Sequence, residues 1–269
     1  MRVNSKWLVA LLLLGMMLPL SGCNLPVVKK LQARDYVNKG VAQFTKQKYD
    51  AAAQFFQKSV ELDPDFEVAR MYLGTAYMSQ FVPGSSDPRS TEMANKAIET
   101  FKNIAETSTD PTGRNKLNSM LSIVGLYTQM KNNPEAKEWC DKVLQVDPKQ
   151  AEAYYRVAVM DYDAIVAKTG LQGQNVKDLS DEEKAKLRAE IEEGLDYVGK
   201  AIQYREGYYD AMEYQNLLWR EKAKLETDED AKKELIRQAD KVALESLKLK
   251  RKAQEEAAKA PKIVGKKAE

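Results

Sequence analysis

The chain contains no histidine. That removes the side chain most often used as a general base and as a metal ligand, and leaves only lysine to activate any serine nucleophile. Cysteine is almost absent, with one copy at position 23 and one at 140. Neither sign of charge dominates: 42 Lys and Arg stand against 40 Asp and Glu, and because Arg2 and Lys6 are the only charges in the first 22 residues, the remainder carries 40 of each. A chain without a global field has no means of drawing in nucleic acid, so none is expected as a partner. Strand-type alternation with β-branched content is missing throughout. Catalytic constellations are equally scarce. Glu182-Glu183, Glu192-Glu193 and Glu255-Glu256 fall on polar helix faces as solvated charge. Asp161 and Asp163 flank Tyr162 as a rim, with no facing acid and no metal-ligand cluster. Gly170-Leu-Gln-Gly173 lacks the strand and helix of a phosphate loop. No catalytic residue, metal or cofactor is expected, and the chain reads as non-enzymatic.

What is present begins with a leader. Arg2 and Lys6 give a basic start, Trp7 to Leu18 form an apolar core shorter than the ~20 residues that span a bilayer, and Pro19 precedes Leu20-Ser21-Gly22-Cys23. This arrangement resembles the signal peptide and lipobox of bacterial lipoproteins. The resemblance implies removal of residues 1–22, acylation of Cys23 with chains such as palmitate, and a lipidated tether over 23–32. Each buried methylene adds ~0.8 kcal/mol of membrane affinity, so several chains make release negligible. Asn24, in place of Asp, is compatible with transport to an outer membrane. The expected location is therefore the cell envelope and, where that envelope has two membranes, the periplasmic face of the outer membrane in preference to the inner one. With Cys23 so used, Cys140 has no partner for a disulfide.

Behind the tether a pattern repeats. Tyr36, Gly40, Phe44, Tyr49, Ala52, Phe56, Ser59-Val60 and Asp63-Pro64 follow Ala33 at intervals that resemble one complete tetratricopeptide repeat of about 34 residues. Small residues at 40, 52 and 59 would let two antiparallel helices approach while the aromatics fill the space around them. Four weaker copies follow. They are marked by Leu73-Gly74, Tyr77, Ala97 and Phe101; by Met120, Ile123, Tyr127, Ala136, Cys140 and Asp147-Pro148; by Tyr154, Val157, Ala158, Gly194, Val198 and Ala201; and by Tyr209, Ala211, Met212 and Trp219. Cys140 stands where an aromatic usually packs and reads as a small core hydrophobe. Ser180 and Glu183 form a capping box, and Thr227 with Asp230 marks a similar start. The expected fold is all-α: a right-handed α-solenoid of about five such hairpins over residues 33–247, closed by a capping helix whose outer face should be polar. A basic tail would occupy 248–269, free to rest on an anionic surface.

Two insertions, at about Phe81 to Ser90 and Lys168 to Leu179, fall between the two helices of the second and fourth hairpins. The resemblance also implies a groove along the first helices, lined by Val37, Val41 and Phe44, by Met71, Thr75 and Met78, by Leu121 and Thr128, by Tyr155, Val159 and Tyr162, and by Leu217. Tetratricopeptide domains that clamp acidic C-termini place lysine and asparagine at such positions, and this chain has neither there. An apolar, aromatic lining fits a partner segment instead. The expected role is a lipid-anchored scaffold holding an envelope protein or assembly, similar in repeat pattern and anchor to the small repeat lipoproteins of β-barrel and pilus secretin assembly. The alternative is a ligand- or cell-wall-binding module using Tyr155, Tyr162 and the insertions. The groove could also be filled by the protein's own terminal helix.

Overall fold

A computed structural model describes residues 26–259. Ten α-helices and one 3-10 turn occupy these residues, and no strand occurs among them. In chain order they are α1 (Pro26–Phe44), α2 (Tyr49–Leu62), α3 (Glu67–Met78), α4 (Pro88–Thr107), α5 (Arg114–Gln129), α6 (Asn133–Val146), α7 (Ala151–Thr169), α8 (Asp181–Tyr204), α9 (Tyr209–Lys224) and α10 (Glu229–Lys259), with the 3-10 turn at Val176–Asp178. Contacts divide the chain into two compact units that meet within α5, between Ser119 and Met120.

The helices begin and end where local chemistry demands. Asp63 and Asp147 close α2 and α6, each donating its N–H to the carbonyl of the residue four back, because the following proline holds them out of helical geometry. Asp87 caps α4 by accepting from the Arg89 N–H, with Pro88 at the first helical position. At α8 the expected capping box is complete. The Glu183 N–H donates to Ser180 Oγ at 3.2 Å, and the Ser180 N–H donates to Glu183 Oε2 at 2.7 Å. The start of α10 differs from expectation: Asp228, not Thr227, accepts from the Asp230 and Ala231 N–H groups. Thr227 is held outside the helix by its own N–H, which donates to Glu226.

In the first unit α1 packs on α2, α2 on α3, and α3 on α4. The approach of α1 to α2 depends on Gly40, where a Cβ would drive into the ring of fully buried Phe56. The second hairpin repeats the device, since a Cβ on Gly74 would lie 2.8 Å from the Phe101 ring. Ser59, also fully buried, donates from Oγ to the Ala33 carbonyl at 2.8 Å and so ties the two helices at the other end. The first insertion is pinned at Ser90, whose Oγ accepts from the Val82 N–H at 2.8 Å and donates to the Val82 carbonyl at 3.1 Å.

In the second unit α7 packs on α8 and α9, and α9 packs on α10. Ala158, Ile165, Leu187, Ile191, Leu195, Val198, Leu218 and Leu225 form its main apolar cluster. Gly194 admits Leu218, whose methyls lie 3.2 Å from where a Cβ would be. The second insertion is fastened by a buried carboxylate. Thr169 Oγ1 donates to Glu221 Oε2 at 2.8 Å, and Lys224 Nζ donates to Glu221 Oε1 at 2.6 Å and to the carbonyls of Gly170 and Leu171. A buried acid is costly unless its oxygens are satisfied, and here both are.

Two boundaries move relative to the sequence reading. Helix α1 starts at Pro26, so 26–32, within the expected tether of 23–32, is helical. Helix α10 continues through Lys259, so the basic segment after 247 starts as helix, and Lys250 pairs with Glu213 at 2.9 Å and lies over the Tyr209 ring. Helix α10 is both the second helix of the fifth hairpin and the last described element, and its outer face is not wholly polar, since Ile236, Leu244 and Leu247 are exposed. Cys23, the leader and residues 260–269 lie outside the described residues.

Gly40→Ala is expected to destabilise the first unit by ~1–3 kcal/mol through overpacking against Phe56. Chemical denaturation of G40A, F56L and the double variant checks this: the double variant should cost less than the sum of the two singles, because leucine frees the space that alanine needs.

Candidate functional site

The first helices of the hairpins carry the sequence-expected lining, but the structure divides those residues into supporting and presented sets. Val37 is buried at 7% exposure among Ala52, Phe56, Ala69 and Leu73, so it belongs to the core and not to a groove. With no described hairpin before it, α1 turns this position onto its own partner helix and onto α3. Val41 and Phe44 back the same cluster half-buried, Phe44 meeting Tyr49 edge-on at 5.0 Å.

On α3 the surface opens. Val68, Met71, Tyr72 and Thr75, with Asn115, line a hollow of about 290 Å³, and Val68 and Tyr72 are 46% and 39% exposed. Tyr72 is held flat against Phe56, ring centroids 5.2 Å apart and 14° from parallel. Met71 Sδ accepts from Ser119 Oγ, and Thr75 Oγ1 donates to the Met71 carbonyl. Met78 is half-buried one turn further along the helix.

In the second unit Leu121 and Thr128 are half-buried on α5, and the Thr128 hydroxyl donates to the Val124 carbonyl of its own helix. The more developed face lies on α7 and α9. Tyr155, Val159 and Tyr162 follow at i, i+4 and i+7 on α7, which places them in one row. Tyr214 of α9 stands edge-on between the two tyrosines, 5.6 Å from Tyr155 and 5.5 Å from Tyr162. Tyr208, at the start of α9, extends the row 5.1 Å beyond Tyr155. Leu217, half-buried, is next along α9 from Tyr214. Val159 and Leu217 thus accompany a ladder of three half-buried tyrosines, which Tyr208, 3% exposed, joins to the core.

Tyr72 and Tyr214 were missed by the sequence reading. Each is the sixth residue of its helix, and each reaches back to the preceding hairpin, Tyr72 to Phe56 and Tyr214 to Tyr155 and Tyr162. Aligning helix starts between repeats would have found them.

Burial shapes the chemistry of this face. It pushes the Tyr155 phenol up to about 12, with Tyr214, Asp210 and Glu152 acting in the same direction. Tyr208 is raised further, by burial and by the 2.7 Å hydrogen bond its hydroxyl donates to Glu152. Tyr162 and Tyr214 are raised by burial first and then by neighbouring carboxylates. Asp161 turns away to pair with Lys137, whereas Asp163 is exposed beside the ladder and is raised by partial desolvation. Cys140 is fully buried and its thiol is pushed up to about 12, so the residue packs as a small apolar group. Among the described residues no three His, Cys, Asp or Glu side chains gather as a metal site.

Residues 33–66 match the sequence family described as tetratricopeptide repeat. Among solved structures, a crystal structure of MamA protein is 17% identical, with a TM-score of 0.53 over 83% of this chain and 94% of that one. MamA 41-end from Desulfovibrio magneticus RS-1 is 12% identical, with a TM-score of 0.52 over 82% and 96%. No curated protein matches the sequence. At these identities the likeness is one of fold, and the fold is the all-α, tetratricopeptide-type solenoid. Such folds serve as protein-interaction scaffolds, and no catalytic family is indicated.

The buried groups have measurable consequences. Cys140 should resist alkylation at pH 8 in the folded chain and react at once in denaturant, as read by mass spectrometry. Tyr155 and Tyr208 ionise above the ordinary tyrosine value of ~10, so they add stability that is full below pH ~10 and is lost as pH rises toward and past 12. Absorbance of tyrosinate should therefore show a late fraction that coincides with loss of helicity, and Y155F should reduce it.

Proposed function

We propose that this protein is a non-enzymatic scaffold, anchored by lipid at Cys23 in the bacterial cell envelope, that holds a segment of another protein against the first helices of its hairpins. The observation that carries this reading is the pair of presented faces: Val68, Met71 and Tyr72 in the first unit, and Tyr155, Tyr162 and Tyr214 with Val159 and Leu217 in the second. Large side chains held half in water by stacked aromatics contribute little to their own hairpin beyond their buried half. They present rigid, amphipathic area of the kind that docks peptide segments at low entropic cost.

The anchor rests on the run from Leu20 to Cys23 behind a basic and apolar leader. Among the described residues no helix is long and apolar enough to cross a membrane, so attachment in this reading depends on Cys23. The periplasmic side of an outer membrane is the expected site, by the Asn24 that follows the cysteine.

Tyr72→Glu and Tyr162→Glu place a charge on each face while leaving the buried rings of Phe56 and Phe101 in place. Both variants should keep their circular dichroism and lose at least tenfold in the yield of protein adducts after crosslinking in the native envelope. Undiminished adducts would reject the faces as partner sites, and binding to isolated cell wall without a protein adduct would select the ligand-module reading. Cys23→Ser should move the protein from the membrane pellet to the soluble fraction.

A further inference from the structure

Several aromatic rings in this protein lie under cations. Lys39 and Lys58 lie over Tyr36, Lys96 over Tyr77, Lys142 over Trp139, Lys200 over Tyr154 and Tyr197, Arg205 over Tyr208, and Lys222 over Trp219. Tyr155, Tyr162 and Tyr214, like several other rings, do not. Among the described residues no lysine or arginine lies over any of the three, and their hydroxyls have no protein hydrogen-bond partner, although they form the centre of the second unit's presented face.

The charges around these rings lean one way. Asp163 and Asp210 are in no ion pair among the described residues, and both act on the ladder, Asp210 on Tyr155 and Asp163 on Tyr162 and Tyr214. The remaining neighbours are already matched: Glu152 with Arg156 and, at 3.9 Å, Arg205; Glu213 with Lys250; and Glu221 with Lys224. Asp163 is exposed, and part-burial raises it, so a carboxylate waits there without the counter-charge that would favour its ionised form. Asp210 lies in the first turn of α9, where the helix dipole accommodates it, and Lys250, bonded to Glu213, acts on it at longer range.

We propose that the face formed by Tyr155, Tyr162 and Tyr214, with Asp163 and Asp210 at its edges, docks a cationic segment of a partner protein, its Lys or Arg side chains lying against the rings and reaching the two carboxylates. This rests on the scaffold reading above and specifies the partner's chemistry. Tyrosine faces attract cations through the ring quadrupole, and Arg205 over Tyr208, 4.2 Å from the centroid, shows the contact already made at the end of the same ladder. Asp163, in no ion pair, and Asp210, reached only at longer range by Lys250, complement such a segment and disfavour an acidic one.

The test is anisotropy titration of the full chain with four labelled peptides of one length and pattern, Leu-Ala-X repeated, where X is Arg, Lys, Gln or Glu. The Arg and Lys peptides should bind at least tenfold more tightly than the Gln and Glu peptides, and added salt should narrow the gap. Asp163→Asn with Asp210→Asn, both surface changes, should weaken the Arg peptide about fivefold and leave the Gln peptide unchanged. Tyr214→Ala should weaken the Arg peptide, and Tyr214→Phe, which keeps the ring, should restore it. Equal binding of the Gln and Arg peptides, or no effect of the double Asn variant, would overturn the cationic partner while leaving the groove intact. Binding of none of the four peptides, together with no adduct from a photo-crosslinking residue at 214 in the native envelope, would overturn both. Crosslinks from 214 only to the chain's own lysines at 262, 266 or 267 would assign the face to the protein itself and overturn a separate partner.

Discussion

The distance between the two helices of a hairpin governs everything else here, and in the first two hairpins it is set by a missing side chain. At Gly40 and Gly74 the absence of a Cβ lets a phenyl ring from the second helix, Phe56 or Phe101, lie directly on the backbone of the first. The contact is made by dispersion at close range and by removal of the ring from water, ~25 cal/mol per Å² of apolar area. Because the ring fills the hairpin from inside, the outer side of the first helix is relieved of packing duty. That is why Met71 and Tyr72 on α3 can stand half in solvent without loosening the hairpin that carries them.

The same constraint explains the repeat that seems to violate it. Val124 and Cys140 hold the places in the third copy that Gly40 and Phe56 hold in the first, sixteen residues apart in each case, and both are fully buried. The larger residue has moved to the first helix and the smaller to the second, which conserves the sum of volumes while reversing its distribution. Volume-conserving exchange is what close-packed interiors tolerate best. Cys140 is therefore a packing choice, and its raised thiol is a by-product of burial.

How much of this could be read from the chain depended on whether a feature was local to one helix or shared between hairpins. Capping by Ser180 and Glu183, the stops at Asp63 and Asp147, and the small residues at 40, 52 and 59 follow from short-range rules, and the structure shows each of them. Three others depended on neighbours. Val37 has the spacing of a lining residue, but the first hairpin closes over it. Tyr72 and Tyr214 have the spacing of neither core nor groove and acquire their role only by reaching back to the preceding hairpin. The tail after 247 has the composition of a solvated segment, yet Lys250 finds Glu213 and the helix runs on, because a partner on α9 supplies what composition alone did not. The anchor belongs to a different kind of inference, resting on residues 1–23 and on chemistry done to the chain rather than by it.

The end of the array shows what the hairpin constraint leaves unsolved. Along α10, Leu235, Ala239, Val242, Ser246, Leu249 and Ala253 recur at alternating steps of four and three, a seam that α9 covers. Ser246 takes the middle of that seam and satisfies its hydroxyl on the Tyr209 carbonyl, so a polar residue costs little there. In α2 and α8 the second helix of a hairpin is packed on two sides, by its own partner and by the first helix of the next hairpin. Helix α10 has only the first of these among the described residues, and Ile236, Leu244 and Leu247 lie exposed on the other side. Around them Arg237, Asp240, Lys241, Glu245 and Lys248 set charges at close intervals, whose long stems can lie over apolar surface while the heads stay in water. A terminal helix of 31 residues thus keeps a remnant of the stacking surface that its predecessors bury, diluted by charge rather than replaced by it.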